Sequence, residues 1–523
     1  MSPTAAARPV RRNPLDALPY IALAVYAALT FILIPRHELW RDEAADWLYT
    51  RWGPSLAAVL HDLGWQMDPG GWHTALYLIA RVFPSPLAMQ VFHSLLAIAG
   101  VFLLVRYGPF SRLEKCLYPF GYFVFFEYNI MARNYVPILF GLCLAATLYP
   151  QRFRRPWLYM LPLALMTQTH MYGGLFAGTL ALLYVAELAA ARRARWREYA
   201  AYVAPLAALG LVSLVSLYQM IPFAEVRNML SGGGEIDYFQ TARGILLRLV
   251  APVVRPQFYF WPANTVSPEH STLLALLFLA GLLYLVHPKP VPLAYFLLAG
   301  GAITYLLVFR GSNTRFIGML WLLLIFTLWL GSYYAVPARW AHTRWMTLYP
   351  RVRGVVFPVV LLLQALGTPT AFWMDFHYPF SGGRETAQFL NAQLKGTNVL
   401  IGTVLSYATQ SIQPYLRPDL PPLYCLEQER PYQGLICDAK WYENDKKVPP
   451  VEALRRLLRR YDAGSFDQVL LVTLVPLQAP GIRVLGPFPQ DQRVLCGDES
   501  FFVHVLDVPA LRPVLDRAGP GGS

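Results

Sequence analysis

The chain has 523 residues, 56% of them hydrophobic and only 14% charged, where soluble domains carry about 25% charged residues. That balance excludes an ordinary water-soluble globule. The net charge of +13 would suggest nucleic acid on a soluble protein, but here much of the Lys and Arg sits in gaps between apolar runs, so a nucleic-acid partner is set aside.

A helix needs about 20 apolar residues to cross roughly 30 Å of hydrocarbon, and closed helices satisfy the backbone groups that lipid cannot. Eleven spans are expected, at 18–34, 87–105, 113–128, 135–149, 157–169, 172–190, 199–220, 271–286, 291–309, 316–336 and 355–374. The stretch 157–190 is too long for one straight span and barely enough for two. The first apolar run follows Arg8, Arg11 and Arg12 and leads into Pro35-Arg36-His37 instead of a small-residue cleavage site, so it reads as a retained span.

Alternate gaps are densely basic: Arg106, Arg112 and Lys115; Arg152, Arg154 and Arg155; Arg192, Arg193, Arg195 and Arg197; Arg339, Arg344, Arg351 and Arg353. The intervening loops are longer and more sparsely basic. The positive-inside rule then puts the N-terminus in the cytoplasm and, after eleven spans, the C-terminus outside.

The first outer loop, 35–86, opens with Glu38-Leu39-Trp40-Arg41-Asp42-Glu43-Ala44-Ala45-Asp46-Trp47. Carboxylates beside Trp and Arg at a membrane edge suit either of two roles. They can form an interfacial belt, or one can take a proton from an attacking hydroxyl. Farther along, Gly71-Trp72-His73 adds a histidine to the same side; Asp, Glu and His on one face suit a divalent metal, although no tight ligand spacing is present.

Ionisable groups recur at the outer ends of later spans: Glu127 to Tyr135 (with Arg133), Gln168-Thr169-His170-Met171-Tyr172, and Arg310-Gly311-Ser312-Asn313-Thr314-Arg315. Singly, each reads as snorkelling or a helix cap. Their convergence on one side favours function, because charge near membrane depth is costly and the Arg fork suits phosphate. The second outer loop, 221–270, holds Ser231-Gly232-Gly233-Gly234 and an apolar-basic stretch from Tyr238 to Val254. That stretch is either an amphipathic interfacial helix or a plain connection. No Gly-rich phosphate loop, CxxC pair or HExxH occurs, which argues against an ATP-driven machine.

From Asp375 the composition changes. Strands are expected at Asn398–Thr403, Gln468–Leu474 and Phe501–Leu506, with helices at Arg384–Leu394 and Val451–Tyr461, giving a small α/β domain over 375–523 behind a helical membrane module over 1–374. Cys425 and Cys437 either pair in an oxidising compartment or remain free thiols; Cys496 is the third cysteine here.

The motifs Arg41-Asp42-Glu43-Ala44, Ala132-Arg133-Asn134-Tyr135, His170-Met171-Tyr172-Gly173 and Asn313-Thr314-Arg315-Phe316, with an outward C-terminal domain, resemble those of the GT-C membrane glycosyltransferases. The likeness is to the protein O-mannosyltransferase and lipid A aminoarabinose transferase group. It implies transfer of a sugar from a polyprenyl-phosphate donor to a hydroxyl acceptor (glycolipid, polysaccharide or protein) on the outer face of the inner membrane. It places the catalytic base at Asp42, with Glu43 as neighbour, and donor-phosphate contacts at Arg133, Tyr135 and Arg315. Arg41, His73, His170, Tyr172 and Arg310 would line the substrate pocket. The first loop departs from the family's His-Pro-Pro-Leu-Tyr-Tyr run, reading Gly71-Trp72-His73-Thr74-Ala75-Leu76-Tyr77. The rival readings are a lipid or sugar transporter, whose broken helices and repeats are not evident, and a non-enzymatic envelope assembly protein.

Overall fold

A computed structural model describes residues 14–190, 196–224, 226, 280–281, 283–286, 288–310, 314–394, 398–494 and 497–517. Most of the span expected at 271–286, the stretch Tyr238–Val254, Cys496 and the side chain of Arg310 lie outside the described residues.

The helices run α1 Leu18–Leu33, α2 Arg41–Trp52, α3 Leu56–Asp62, α4 Gly70–Val82, α5 Leu87–Tyr107, α6 Arg112–Leu117, α7 Val136–Leu148, α8 Pro156–Thr167, α9 Met171–Ala190 and α10 Trp196–Gln219. After the segment outside the description come α11 Pro290–Arg310, α12 Thr314–Gly331, α13 Arg344–Ala365 and α14 Thr368–His377. Among the described residues, six helical stretches are long and apolar enough to cross a bilayer: Pro14–Leu33, Leu87–Tyr107, Met171–Ala190, Ala201–Gln219, Pro290–Leu307 and Arg344–His377. Val136–Gln151, Pro156–Thr167 and Arg315–Gly331 are apolar but shorter. The chain is therefore a multi-pass membrane protein, while a count of eleven crossings is not reached by these helices. Leu95, Phe102, Leu161, Leu182, Leu211 and Leu214 point outward from them, an apolar surface that hydrocarbon must cover.

Two expectations about spans are settled by local chemistry. The doubtful 157–190 stretch is two helices, α8 and α9. The stretch 113–128, expected as one span, is broken. Ser111 and Glu114 form a reciprocal cap that starts α6. Pro119 and Gly121 then interrupt it, and the chain re-forms as a π-helix over Phe123–Ile130. Such wide turns are rare and frequently adjoin functional sites.

The loop 35–86 is largely helical. On α4 the buried residues Trp72, His73, Leu76 and Ala80 recur at helical spacing, while Leu78 and Val82 face outward, as a helix lying along a membrane surface requires.

The C-terminal unit adds α15 Gly383–Gln393, β1 Val399–Thr403, α16 Ser406–Thr409, β2 Leu423–Cys425, β3 Arg430–Tyr432, α17 Ala439–Asn444, α18 Pro450–Asp462, β4 Gln468–Thr473, β5 Ile482–Phe488, β6 Phe501–Leu506 and α19 Val508–Arg517. The sheet order is β3-β2-β1-β4-β6-β5. β1 is parallel to β2 and β4, and the outer pairs are antiparallel. β1 is buried throughout and β4 along all but its first residue, hence their continuous apolar runs. One face packs on α15 and the other on α18 and α19. On α18, Ala453, Leu454, Leu457 and Leu458 are buried, while among the interleaved arginines Arg459 is exposed and Arg456 bonds Glu452, Asn444 and the Leu426 carbonyl oxygen. Cys425 and Cys437 are free thiols, so the alternative of a bridge is not realised.

Candidate active site

The site is built on the first turn of α2, just past the end of α1. Trp40 precedes the helix in an extended conformation, and Asp42 and Glu43 occupy its first turn, where the helix dipole favours negative charge. All three carboxylates of the segment are buried: Asp42 at 8%, Glu43 at 0% and Asp46 at 2% exposure. Buried charge persists only with partners, and here each carboxylate has its own.

Asp42 is held from three directions. Arg315, at the start of α12, brings Nη1 to 3.0 Å from Oδ2. Tyr407, from α16 of the C-terminal unit, donates its hydroxyl to Oδ1 at 2.8 Å. Arg133, in the turn between the π-helix and α7, donates to the Asp42 carbonyl oxygen. Burial alone would raise the Asp42 pKa, but the Arg133 and Arg315 guanidiniums outweigh it and hold the carboxyl below its usual range.

Asp46, one turn along α2, faces the same way. Its Oδ1 is 3.4 Å from Arg133 Nη1 and 3.7 Å from His73 Nε2, and Oδ2 accepts from Trp72 Nε1 at 3.1 Å. Burial opposes its ionisation, and Arg133 again prevails. Asp68, in the same region, has no such surplus of cations, and burial pushes it up to about 6.

Glu43 does not share the Asp42 environment. Its Oε1 accepts the Ala132 amide at 2.6 Å and its Oε2 the His37 Nε2 at 3.0 Å. His37 spends its other nitrogen on Asp375, at 2.9 and 3.0 Å from the two oxygens. Burial would depress His37, yet the Asp375 and Glu43 carboxylates raise it to about 10. The imidazolium thus joins the first loop to α14, and Glu43 is tied into that junction.

The other expected pocket residues divide. Tyr135, His170 and Tyr172 gather with Phe316 in one aromatic box: the His170 ring lies 5.0 Å from Tyr135, 5.2 Å from Tyr172 and 6.0 Å from Phe316. Arg315 lies over Phe316 at 5.2 Å and over Trp40 at 5.6 Å, so the box adjoins the Asp42–Arg315 pair. His73 is fully buried beside Asp46. Arg41 turns away from Asp42: its Nε is 3.4 Å from Glu499 and its amide donates to the same carboxylate at 2.9 Å, so it docks the C-terminal unit. A consecutive pair on a helix points about 100° apart, which is why Arg41 and Glu43 part from Asp42.

Tyr407 and Asp46 were not among the expected site residues. Asp46 follows Asp42 at i+4, a helical spacing that would have flagged it had the loop been read as a helix. Nothing local marks Tyr407, since its contact spans 365 positions. No three His, Cys, Asp or Glu side chains among the described residues gather in a way that would hold a metal ion, so the possible divalent metal finds no ligand set there and no step below passes through one.

The fold and this site together define a class, a multi-pass membrane protein with a buried acid–arginine centre roofed by a C-terminal sheet unit. Two solved structures share its fold. ArnT from Cupriavidus metallidurans bound to undecaprenyl phosphate superposes with a TM-score of 0.52 at 12% identity, covering 93% of this chain and 97% of that one. The same protein in its apo state gives 0.51 at 12% identity over the same shares. At that identity the likeness is one of fold. No protein-family profile matches the chain, and no curated protein matches it in sequence.

Proposed function

We propose that this protein is a GT-C glycosyltransferase that moves a sugar from a polyprenyl-phosphate carrier to a hydroxyl acceptor at the outer face of the inner membrane, with Asp42 as base. The observation that carries the reading is the Asp42 carboxylate, buried yet held ionised beside Arg315, at the end of a membrane helix and within reach of a second arginine. The fold shared with a protein solved with undecaprenyl phosphate supports the donor class.

In this reading residues 1–374 form the membrane module and 375–523 an extracytoplasmic domain, with the N-terminus cytoplasmic. A lipid carrier needs its headgroup at the membrane boundary while its tail stays in hydrocarbon. Asp42 takes the acceptor's proton as the acceptor oxygen bonds to the anomeric carbon. The bond from that carbon to the phosphate oxygen breaks, and its electron pair leaves with the polyprenyl phosphate. Arg315 is the cation best placed to meet that growing charge. A single displacement of this kind inverts the anomeric centre. Arg133, already committed to Asp46 and the Asp42 carbonyl, serves more as the brace that keeps both aspartates charged than as a free phosphate ligand. Glu43 acts through the His37 junction, not on substrate. A transporter reading fits less well, because the charged groups cluster at one end of the helices instead of the midplane.

Mass analysis of envelope lipids and surface glycans from cells with and without the active gene tests the proposal. One sugar-sized mass increment should vanish with the gene; an unchanged glycan profile would overturn the assignment.

A further inference from the structure

A second opening lies beyond the Asp42 centre, at the far end of the same helix. A cleft of about 290 Å³ sits between the C-terminal end of α2 and the β2–β3 hairpin of the sheet unit. Tyr49 and Trp52 line it from α2, Asp62 from α3, and Gln428, Tyr432 and Gln433 from the hairpin side. Gly434 brings the hairpin against the α2 backbone, where an added Cβ would stand 2.7 Å from the Leu48 carbonyl oxygen. Asp42, Asp46 and Tyr49 follow one another at i, i+4 and i+7, on one face of α2. Seven residues of helix advance about 10 Å, roughly the span of a disaccharide.

We propose that this cleft is the acceptor subsite for a glycan: the acceptor's terminal hydroxyl reaches Asp42 while its next sugars lie between Trp52 and the hairpin. The inference deepens the transferase reading and rests on it for the connection to Asp42.

The chemistry of the lining selects the ligand. Sugar rings present C–H faces that pack on aromatic rings, and Trp52 is 40% exposed at the rim of the cleft. Amides and a carboxylate pair with vicinal hydroxyls, and Gln433 and Asp62 supply both. Arg430 is the one cation among the lining residues, and it is already 2.9 Å from Asp438. Asp62 adds a negative charge. Arg51, over the Trp52 ring at 4.8 Å, and Arg81, which donates to the Gly53 carbonyl oxygen at 2.7 Å, balance it at the rim, and an acyl chain would leave the amides and Asp62 unsolvated. The sheet unit thus roofs α2 twice, with Tyr407 over Asp42 and the hairpin over the cleft.

The test is binding of soluble trisaccharides, namely maltotriose, chitotriose and mannotriose, to the purified full chain in detergent, followed by saturation-transfer NMR and titration. At least one should bind. Trp52→Ala and Gln433→Ala should each weaken it about tenfold or more, as loss of a central aromatic or polar anchor does, with unfolding temperatures close to wild type. Sugar binding is read in the absence of donor, so the result stands or falls separately from sugar transfer. Failure of all three sugars, undiminished binding by Trp52→Ala, or occupation of the cleft by a Ser/Thr-containing peptide in their place would each overturn the proposal.

Discussion

Arg315 and Asp42 lie 273 positions apart in the chain, yet their side chains meet at 3.0 Å. The start of a late membrane helix is thereby fastened to the first turn of α2, in the loop 35–86. The arrangement resolves a conflict of physics: a carboxylate buried at a membrane edge would normally take up a proton, but paired cations keep it charged and so able to accept one.

The two arginines should part in their effects. Removing Arg133 strands Asp46 without its cation, and breaking a buried pair costs roughly 3–5 kcal/mol. Arg133→Ala should therefore show chiefly as a lower unfolding temperature. Arg315→Ala also strands its partner Asp42 and should lower stability, but in addition it should weaken undecaprenyl phosphate binding about tenfold or more, because a charge-assisted contact to phosphate is lost. Thermal unfolding in detergent checks the first, and lipid titration by native mass spectrometry the second. Unchanged lipid affinity in Arg315→Ala would remove it from the headgroup site.

Tyr407 is the sheet unit's direct contact with Asp42, and its hydrogen bond lowers the Asp42 pKa. Tyr407→Phe should therefore move the acid limb of the rate profile to higher pH, with the alkaline limb unmoved. A pH–rate comparison of the two proteins decides it.

Glu43 stands next to Asp42 in sequence but is fully buried and bound through both oxygens. Glu43→Ala leaves the His37 imidazolium short of one partner and should cost roughly 3–5 kcal/mol of stability. Glu43→Gln, which keeps an acceptor for the Ala132 amide, should retain substantial transfer. Complete loss of transfer in a fully stable Glu43→Gln protein would instead place this residue in the chemistry.

Glu499 offers a pH test away from the reaction. Burial raises its carboxyl from 4.5 to about 7, against the pull of Arg41. The folded state then binds the proton more tightly than the unfolded chain. Its contribution is fully present below about pH 4.5 and is lost as pH rises through about 7. The unfolding temperature of the wild type should fall across that window, and Glu499→Gln should flatten this component. Calorimetry in detergent at stepped pH measures the difference.

How much of this was legible in the residues depends on whether the signal is local. Asp42 stood out because carboxylates beside Trp at the end of an apolar run are costly. Arg133 and Arg315 stood out because charge at helix ends near hydrocarbon needs a reason. The central strands announced themselves as unbroken apolar runs. β2 and β3 are three residues each, too short for any period to register, and β5 is interrupted by Gly486 and Pro487. The break in the stretch 113–128 was written in Ser111, Pro119 and Gly121 but was outweighed by its apolar content. Arg41 and Tyr407 carry no local sign of where they point; a fold assembled from distant segments decides that.

The central claim is that Asp42 removes the acceptor's proton. The most direct measurement is the rate of sugar transfer by purified Asp42→Asn, alongside its unfolding temperature and its affinity for undecaprenyl phosphate. The account predicts a rate reduced at least about a hundredfold, the scale of a lost general base, in a protein that still folds and still binds the lipid. Transfer at the wild-type rate would contradict it.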